Sequence, residues 1–213
     1  MSVSVKKLNC RNLYNQEVLY LTKLAKSNAV PILSMHFEDK YGLFFVMTDV
    51  SDEYMSLREY IKTRSDTELD VPRVFKKMIE ALSFLYSHQC FHRRLNSNNV
   101  MIEEGNVKVT NFEQAVHFDG HCQLFSSVRS LNYDSSWAPE LLFNLKYTTQ
   151  IDVWSFGTML YEMLHRKPYI RNIVLSSSKI KERSPLHSVC KSMLIDLPSQ
   201  RMSAEKLCQL YFA

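Results

Sequence analysis

One set of side chains has the residue types of nucleophilic catalysis. His92 could serve as a general base, with Asp119 or Glu113 as its helper and Cys122 as the nucleophile. Such a set works only when its members lie within hydrogen-bonding distance of one another, and nothing in the spacing fixes these residues close together. A histidine with a structural role is therefore the favoured interpretation of His92.

A second set has the residue types of a metal site. His117, His121 and Cys122 lie close together in the sequence, but their spacing matches no standard zinc pattern. No metal site is predicted.

Five segments carry a more specific pattern, because they occur in a fixed order. Residues His92–Asn99 read HRRLNSNN, Asn111–Glu113 read NFE and Ala138–Glu140 read APE. These segments resemble the catalytic loop H-R-D-L-x-x-x-N, the D-F-G motif and the A-P-E motif of protein kinases. Ile151–Gly157 resembles the buried helix that anchors that loop, and Pro198–Arg201 the late segment whose arginine pairs with the A-P-E glutamate. The resemblance covers almost the whole chain and implies an α+β, bilobal protein-kinase-like fold.

The chain departs from the kinase pattern where catalysis takes place. Arg94 stands in place of the catalytic aspartate, and a guanidinium cannot accept the proton of a substrate hydroxyl. Asn111 replaces the D-F-G aspartate and is a weaker ligand for Mg²⁺, while Glu113 replaces the glycine. Asn96 replaces the catalytic-loop lysine, and only Asn99 of the metal-binding positions is kept. The resemblance therefore implies that the chain is not an enzyme and has no catalytic residues.

The beginning of the chain bears on nucleotide binding. Val3–Lys6 resembles the V-A-I-K strand of kinases, with Lys6 as its lysine and Glu17 as the lysine's partner. The first two strands and the glycine-rich loop are predicted to be absent, so the expected fold has a truncated N-lobe. Lys6, Glu17 and Asn99 are read as vestigial nucleotide-binding residues, and no cofactor is expected.

The resemblance gives other residues packing roles. Glu140 and Arg201 would form a buried pair, Met47 would be the gatekeeper beside the cleft, and Asp152 is counted as structural. The expected spine between the lobes consists of Leu21, Leu33, His92 and Phe112.

The adjacent arginines Arg93 and Arg94 have two interpretations. They could pair with Glu113 or Asp152, or they could bind phosphate. The ion-pair interpretation is favoured.

Hydrophobic periodicity predicts the elements that position these residues. Residues 1–50 are expected to form the small lobe and residues 51–213 the helical lobe. Pro72 is expected in the first turn of a helix, and Ser203 is expected to cap the last one. The predicted strands are Ser2–Leu8, Ile32–Phe37, Leu43–Val50, Val100–Ile102 and Val107–Thr110, and the predicted helices include Leu13–Leu24, Ile151–Leu164 and Ser203–Tyr211.

Composition excludes several functional classes. The chain has 213 residues, a formal charge of +4 and four glycines. That mild charge gives little support to nucleic-acid binding. The five cysteines include no CxxC pair, as expected of free thiols in a reducing compartment. No stretch is long enough to span a bilayer, so no membrane insertion is predicted and the expected location is the cytoplasm.

Local similarity within the kinases narrows the functional hypothesis. Trp137 and the run Asp152–Glu162 resemble the tyrosine-kinase-like branch. Glu113 and Leu13–Val18 resemble the mixed-lineage-kinase-domain-like family of necroptosis pseudokinases, of which shortened virus-encoded homologues are known. The implied function is a decoy that binds a host receptor-interacting kinase through its kinase domain and blocks necroptosis, in the host cytoplasm if the chain is viral.

Two alternatives to the decoy stay open. The chain could be a scaffold or allosteric regulator of another kinase pathway, like the kinase-dead domains of integrin-linked and germ-cell bridge proteins. It could also be a weak residual nucleotide binder that uses Lys6, Glu17 and Asn99.

Overall fold

The structure is a computed structural model that describes residues 3–25, 27–48, 54–65, 67–118, 123–124, 137–170 and 184–212. Asp119, His121 and Cys122, which the sequence raised as catalytic or metal candidates, lie outside these ranges. Cys10, Cys90, Cys190 and Cys208 are free thiols, which confirms the prediction for the four cysteines described.

An antiparallel sheet and one helix form the N-terminal part. Strands β1 (Val3–Leu8), β2 (Ile32–Asp39) and β3 (Gly42–Thr48) are arranged in the order β1-β3-β2, and helix α1 spans Arg11–Lys23. Burial alternates along β3, since every second side chain, Phe45 among them, points into the core. These elements confirm the three predicted strands and the predicted helix, although the helix begins two residues earlier than expected.

The remainder of the chain is mainly helical. Pro72 lies in the first turn of α3 (Val71–Ser87), where its missing N–H costs nothing. The Ser203 hydroxyl accepts a hydrogen bond from the Lys206 N–H at 3.2 Å at the start of α7 (Ala204–Phe212). The helices are α2 (Leu57–Thr63), α3 (Val71–Ser87), α4 (Pro139–Leu142), α5 (Gln150–His165), α6 (Pro185–Met193) and α7 (Ala204–Phe212).

Short strands lie between these helices and on both sides of the loop at His92–Asn99. Strand β6 (Val100–Glu103) pairs with both β4 (Met55–Ser56) and β7 (Asn106–Val109), and β5 (Cys90–Phe91) pairs with β8 (Val116–His117). The strands are β4 (Met55–Ser56), β5 (Cys90–Phe91), β6 (Val100–Glu103), β7 (Asn106–Val109), β8 (Val116–His117), β9 (Gln123–Leu124) and β10 (Lys146–Tyr147).

Helix α5 lies at the centre of the helical part. Most of its side chains are buried, including Trp154 and Phe156. Gly157 lets α6 approach closely, since a Cβ added there would lie 2.9 Å from the Cβ of Met193. No helix within the described residues is both long and apolar enough to cross a membrane. The division after residue 50 and the truncated N-lobe stay predictions.

Candidate functional site

Helix α5 fixes the start of the loop at His92–Asn99. Asp152 is buried in this helix, and its two carboxylate oxygens accept hydrogen bonds from the backbone N–H groups of His92 (3.0 Å) and Arg93 (3.1 Å). Burial raises the pKa of Asp152 to about 7, and the two N–H groups oppose that rise. The carboxylate therefore positions the start of the loop through its backbone.

The His92 ring is also committed to structure. Its Nε2 lies 2.9 Å from the carbonyl oxygen of Thr110, and its ring centroid lies 4.9 Å from that of Phe112 in an edge-on contact. Burial lowers the pKa of His92 to about 4, so the ring is neutral at physiological pH. Asp119 and Cys122, the other members of the set considered from the sequence, lie outside the described residues.

The asparagines of the loop hold its backbone. The Asn96 side chain accepts a hydrogen bond from the Asn98 N–H at 2.9 Å, and Asn99 Nδ2 donates to the Arg94 carbonyl at 2.7 Å. Asn99 Oδ1 also accepts a hydrogen bond from Asn111 Nδ2. Asn99 and Asn111, the two amides at the family's metal-binding positions, therefore contact each other.

Asn111 begins a turn in which Phe112 packs in the core and Glu113 forms ion pairs. Its backbone is left-handed, with φ of 67°, a conformation that asparagine tolerates better than most residues. A single 3₁₀ turn follows, in which Phe112 is fully buried beside His92 and Tyr20. Glu113 points instead toward the cleft.

Lys6 of strand β1 joins the sheet to this turn. Its Nζ donates a hydrogen bond to Asn111 Oδ1, lies 2.5 Å from Glu113 Oε1 and lies 3.6 Å from Glu17 Oε2. Both glutamate side chains are largely buried, at 10% exposed for Glu113 and 1% for Glu17. One ammonium group therefore serves three acceptors, and the contact with Glu113 is shorter than the one with Glu17, the partner expected from the sequence.

Glu17 is the least satisfied group of this cluster. Its Oε2 has no hydrogen-bond partner among the described residues, although Lys6 lies near it. Burial raises the pKa of Glu17 to about 7, and the charge of Lys6 opposes that rise. Near neutral pH this carboxyl group is therefore poised between its two protonation states.

A cavity of about 420 Å³ opens beside Lys6, between the sheet and the loop. Met47, for which the sequence predicts the gatekeeper role, lies on its wall. The lining residues are Ser4, Val5, Lys6, Lys7, Glu17, Met47, Asn98, Met101, Thr110 and Asn111.

The adjacent arginines have different partners. Arg93 Nε donates to the Gln114 carbonyl at 2.6 Å and its Nη1 to the Tyr147 hydroxyl at 2.9 Å. Arg94 Nη1 reaches Glu113 Oε2 at 3.4 Å. The partners of the Arg93 side chain were missed from the sequence, because Tyr147 lies 54 positions away and gives no local signal.

Away from the cleft, Arg201 and Glu140 form a buried ion pair. Arg201 Nη1 lies 2.7 Å from Glu140 Oε1, and its Nη2 lies 3.0 Å from Oε2. The guanidinium also lies 5.0 Å from the ring centroid of Trp154. This pair ties α4 to the segment that precedes α7.

The expected spine is partly visible in these contacts. Leu21, His92 and Phe112 are completely buried, whereas Leu33 is half-buried. The stack of Tyr20 on Phe112, with centroids 6.4 Å apart, was not expected from the sequence.

Residues 2–213 match the model of the protein kinase domain family. The chain belongs to that family. It is 32% identical over 180 residues to the serine/threonine-protein kinase pak-2 of Caenorhabditis elegans, an alignment that covers 78% of the chain and 32% of that protein. It is also 27% identical over 228 residues to the megakaryocyte-associated tyrosine-protein kinase of Rattus norvegicus, covering 97% of the chain and 47% of that protein.

A third relative is the serine/threonine-protein kinase shk1/pak1 of Schizosaccharomyces pombe, 27% identical over 232 residues that cover 97% of the chain and 34% of that protein. The chain thus spans between about a third and a half of the length of these relatives.

These comparisons contradict the prediction that the chain is not an enzyme. The family model is that of protein kinases, and the relatives are named serine/threonine and tyrosine kinases, which points to an enzyme. The prediction was wrong because it weighed the replaced residues, above all Arg94 and Asn111, over those that the family pattern keeps. Elsewhere the site has the Lys6–Glu17 contact, Asn99 and a cavity beside Lys6.

Proposed function

We propose that this kinase-family domain acts by binding another protein kinase. The proposed partner is a receptor-interacting kinase of the host cell, bound in the cytoplasm through its kinase domain. By occupying that kinase, the chain would keep it from its normal substrate and so block necroptosis. The resemblance of Glu113 and Leu13–Val18 to the mixed-lineage-kinase-domain-like family, including its shortened virus-encoded homologues, favours this partner.

One observation carries the proposal: a side chain on one side of the cleft contacts two side chains on the other side. Lys6 contacts Asn111 and Glu113 across the gap between the sheet and the turn at Asn111–Glu113. These contacts connect the two sides of the cleft. A surface fixed in advance loses less conformational entropy on binding, which favours recognition of a protein.

The test is co-purification of the tagged chain with a receptor-interacting kinase from cells that express both. We expect the two to co-purify and phosphorylation of the kinase's normal substrate to fall. A Lys6→Ala variant should weaken both effects, because it removes the ammonium group that contacts Asn111 and Glu113 across the cleft. Lys77→Ala, which removes an exposed ion pair with Glu80, serves as the control. Absence of co-purification, or recovery of adhesion or cytoskeletal proteins instead, would contradict the proposal and favour a scaffold of another pathway.

A second candidate function is phosphoryl transfer of the kinase type. The Lys6–Glu17 contact beside the cavity and the names of the relatives favour it. The test compares nucleotide turnover by the chain and by its Lys6→Ala variant, together with the melting temperature with and without ATP and Mg²⁺. A nucleotide that binds the native state must raise that temperature. Turnover equal in both proteins, with no thermal shift at millimolar nucleotide, would rule this candidate out.

A further inference from the structure

The side chain of Arg94 makes few contacts with the described residues. It is 45% exposed, and its one side-chain contact within the described residues is the 3.4 Å approach to Glu113. A guanidinium carries five N–H donors, so most of them face solvent. The neighbouring Arg93 instead uses its side chain on Gln114 and Tyr147. The sequence favoured an ion pair for Arg94, and the structure has that contact, but an exposed and long pair contributes little to stability.

The backbone of Arg94 is nevertheless held from both sides. Its N–H lies 3.3 Å from His92 Nδ1, and its carbonyl accepts the 2.7 Å hydrogen bond from Asn99. His92 is itself fixed by Asp152, which belongs to the buried helix α5. An exposed guanidinium on a fixed backbone is a pre-organised donor, and it loses less freedom when a ligand binds.

The charges around Arg94 favour an anion. Glu113 is shared by two cations, with Lys6 at 2.5 Å and Arg94 at 3.4 Å. The shorter contact shows that Lys6 is the main partner of this carboxylate. An anion that paired with Arg94 would leave Glu113 to Lys6, so no buried carboxylate would lose its cation.

We propose that Arg94 binds the phosphate of a phosphorylated side chain on a protein partner, at the mouth of the cleft. Guanidinium and phosphate match in a two-pronged hydrogen-bonding geometry. The exposure of Arg94 favours a protein ligand over the phosphates of a nucleotide inside the cleft. Inside the cleft, Lys6 is 22% exposed and already contacts Glu113 and Asn111. The inference rests on the proposed function in that a protein partner supplies the phosphate.

The test measures binding of a fluorescent pentapeptide, phosphoserine flanked by two glycines on each side, and of its unphosphorylated form. We expect only the phosphorylated peptide to bind, and Arg94→Ala to weaken binding about 10- to 100-fold, as for the loss of hydrogen bonds to a charged group. Arg94→Lys should fall between these, because lysine keeps the charge but lacks the planar fork. Glu113→Gln should strengthen binding, since it removes the negative charge that competes with the phosphate for Arg94.

Lys146→Ala is the matched control, because Lys146 is an exposed cation on strand β10. Equal losses in Lys146→Ala and Arg94→Ala would mean non-specific charge attraction and would overturn the inference. So would peptide binding that ATP abolishes while Arg94→Ala leaves it intact, or no binding at millimolar peptide. The co-purification test is read separately: a kinase that co-purifies while the phosphopeptide fails removes only this inference, and the reverse result removes only the proposed function.

Discussion

Breaking the buried ion pair of Glu140 and Arg201 should greatly lower the free energy of unfolding. Replacing Arg201 by alanine leaves a carboxylate that is 3% exposed without its cation. It also removes the donor for three backbone carbonyls, those of Gln150 (2.6 Å), Ile195 (3.0 Å) and Asp196 (3.3 Å). Buried acceptors that lose their donor keep the full cost of leaving water.

The magnitude follows from that geometry. Breaking a buried ion pair by removing one partner costs about 3–5 kcal/mol. For a chain of this size the melting temperature falls by about 2–4 °C per kcal/mol, so Arg201→Ala should melt roughly 6–20 °C lower than the parent chain. Urea unfolding should give the same ranking, with a lower midpoint and an unchanged slope.

The exposed pair of Lys77 and Glu80 is a matched control. Its nitrogen and oxygen also lie 2.7 Å apart, but the two side chains are 43% and 37% exposed. Solvent screens such a pair, so Lys77→Ala should cost only about 0–1 kcal/mol. A double variant, Glu140→Leu with Arg201→Met, should be more stable than Arg201→Ala, because it leaves no unpaired buried charge. If Arg201→Ala and Lys77→Ala melted at the same temperature, the assignment of this stability to burial of the pair would be refuted.

Three further variants test other parts of the structure. Burial raises the pKa of Glu17 from 4.5 to about 7, so between these values the native state holds a proton that the unfolded chain has lost, and stability falls as pH rises. Glu17→Gln should remove on the order of 2–3 kcal/mol of that fall, seen by comparing urea midpoints at pH 5 and pH 8; an unchanged pH dependence would contradict the burial argument. Gly157→Ala would bring a Cβ to 2.9 Å from the Met193 Cβ and should cost about 1–3 kcal/mol in thermal unfolding, unless α6 can move away without cost. Ser56→Ala removes the side chain that accepts from the Glu59 N–H in the capping box of α2 and should cost about 1 kcal/mol, whereas a neutral result would mean that this helix start is held by its other contacts.

Local patterns made part of this fold predictable. A β-rich run after a polar turn identified β3, and Pro72 and Ser203 marked helix starts because capping and φ restriction act over a few neighbouring residues. The capping box at Ser56 and Glu59 follows the S-x-x-E signature, so this helix start is also predictable from the sequence.

The partners of Lys6 could not be predicted with the same certainty. The pairing with Glu17 came from a family pattern, whereas the contacts with Asn111 and Glu113 join residues more than a hundred positions apart. Which acceptor lies closest to an ammonium group depends on how the sheet packs against the turn, and no short-range signal encodes that packing. The left-handed backbone of Asn111 was not predicted from the sequence either.

Glu113 also links the two proposed ligands of the cleft. A nucleotide phosphate could gain Lys6 only by drawing it away from Glu113, and the carboxylate would then depend on Arg94. A phosphorylated side chain at Arg94 would do the opposite, because it leaves Glu113 to Lys6. The nucleotide therefore takes Lys6 from Glu113, and the phosphorylated side chain takes Arg94 from it. When both ligands are bound, Glu113 has neither cation. Binding free energies are reciprocal, so the two ligands must weaken each other's binding by the same factor, and Glu113→Gln should reduce that factor.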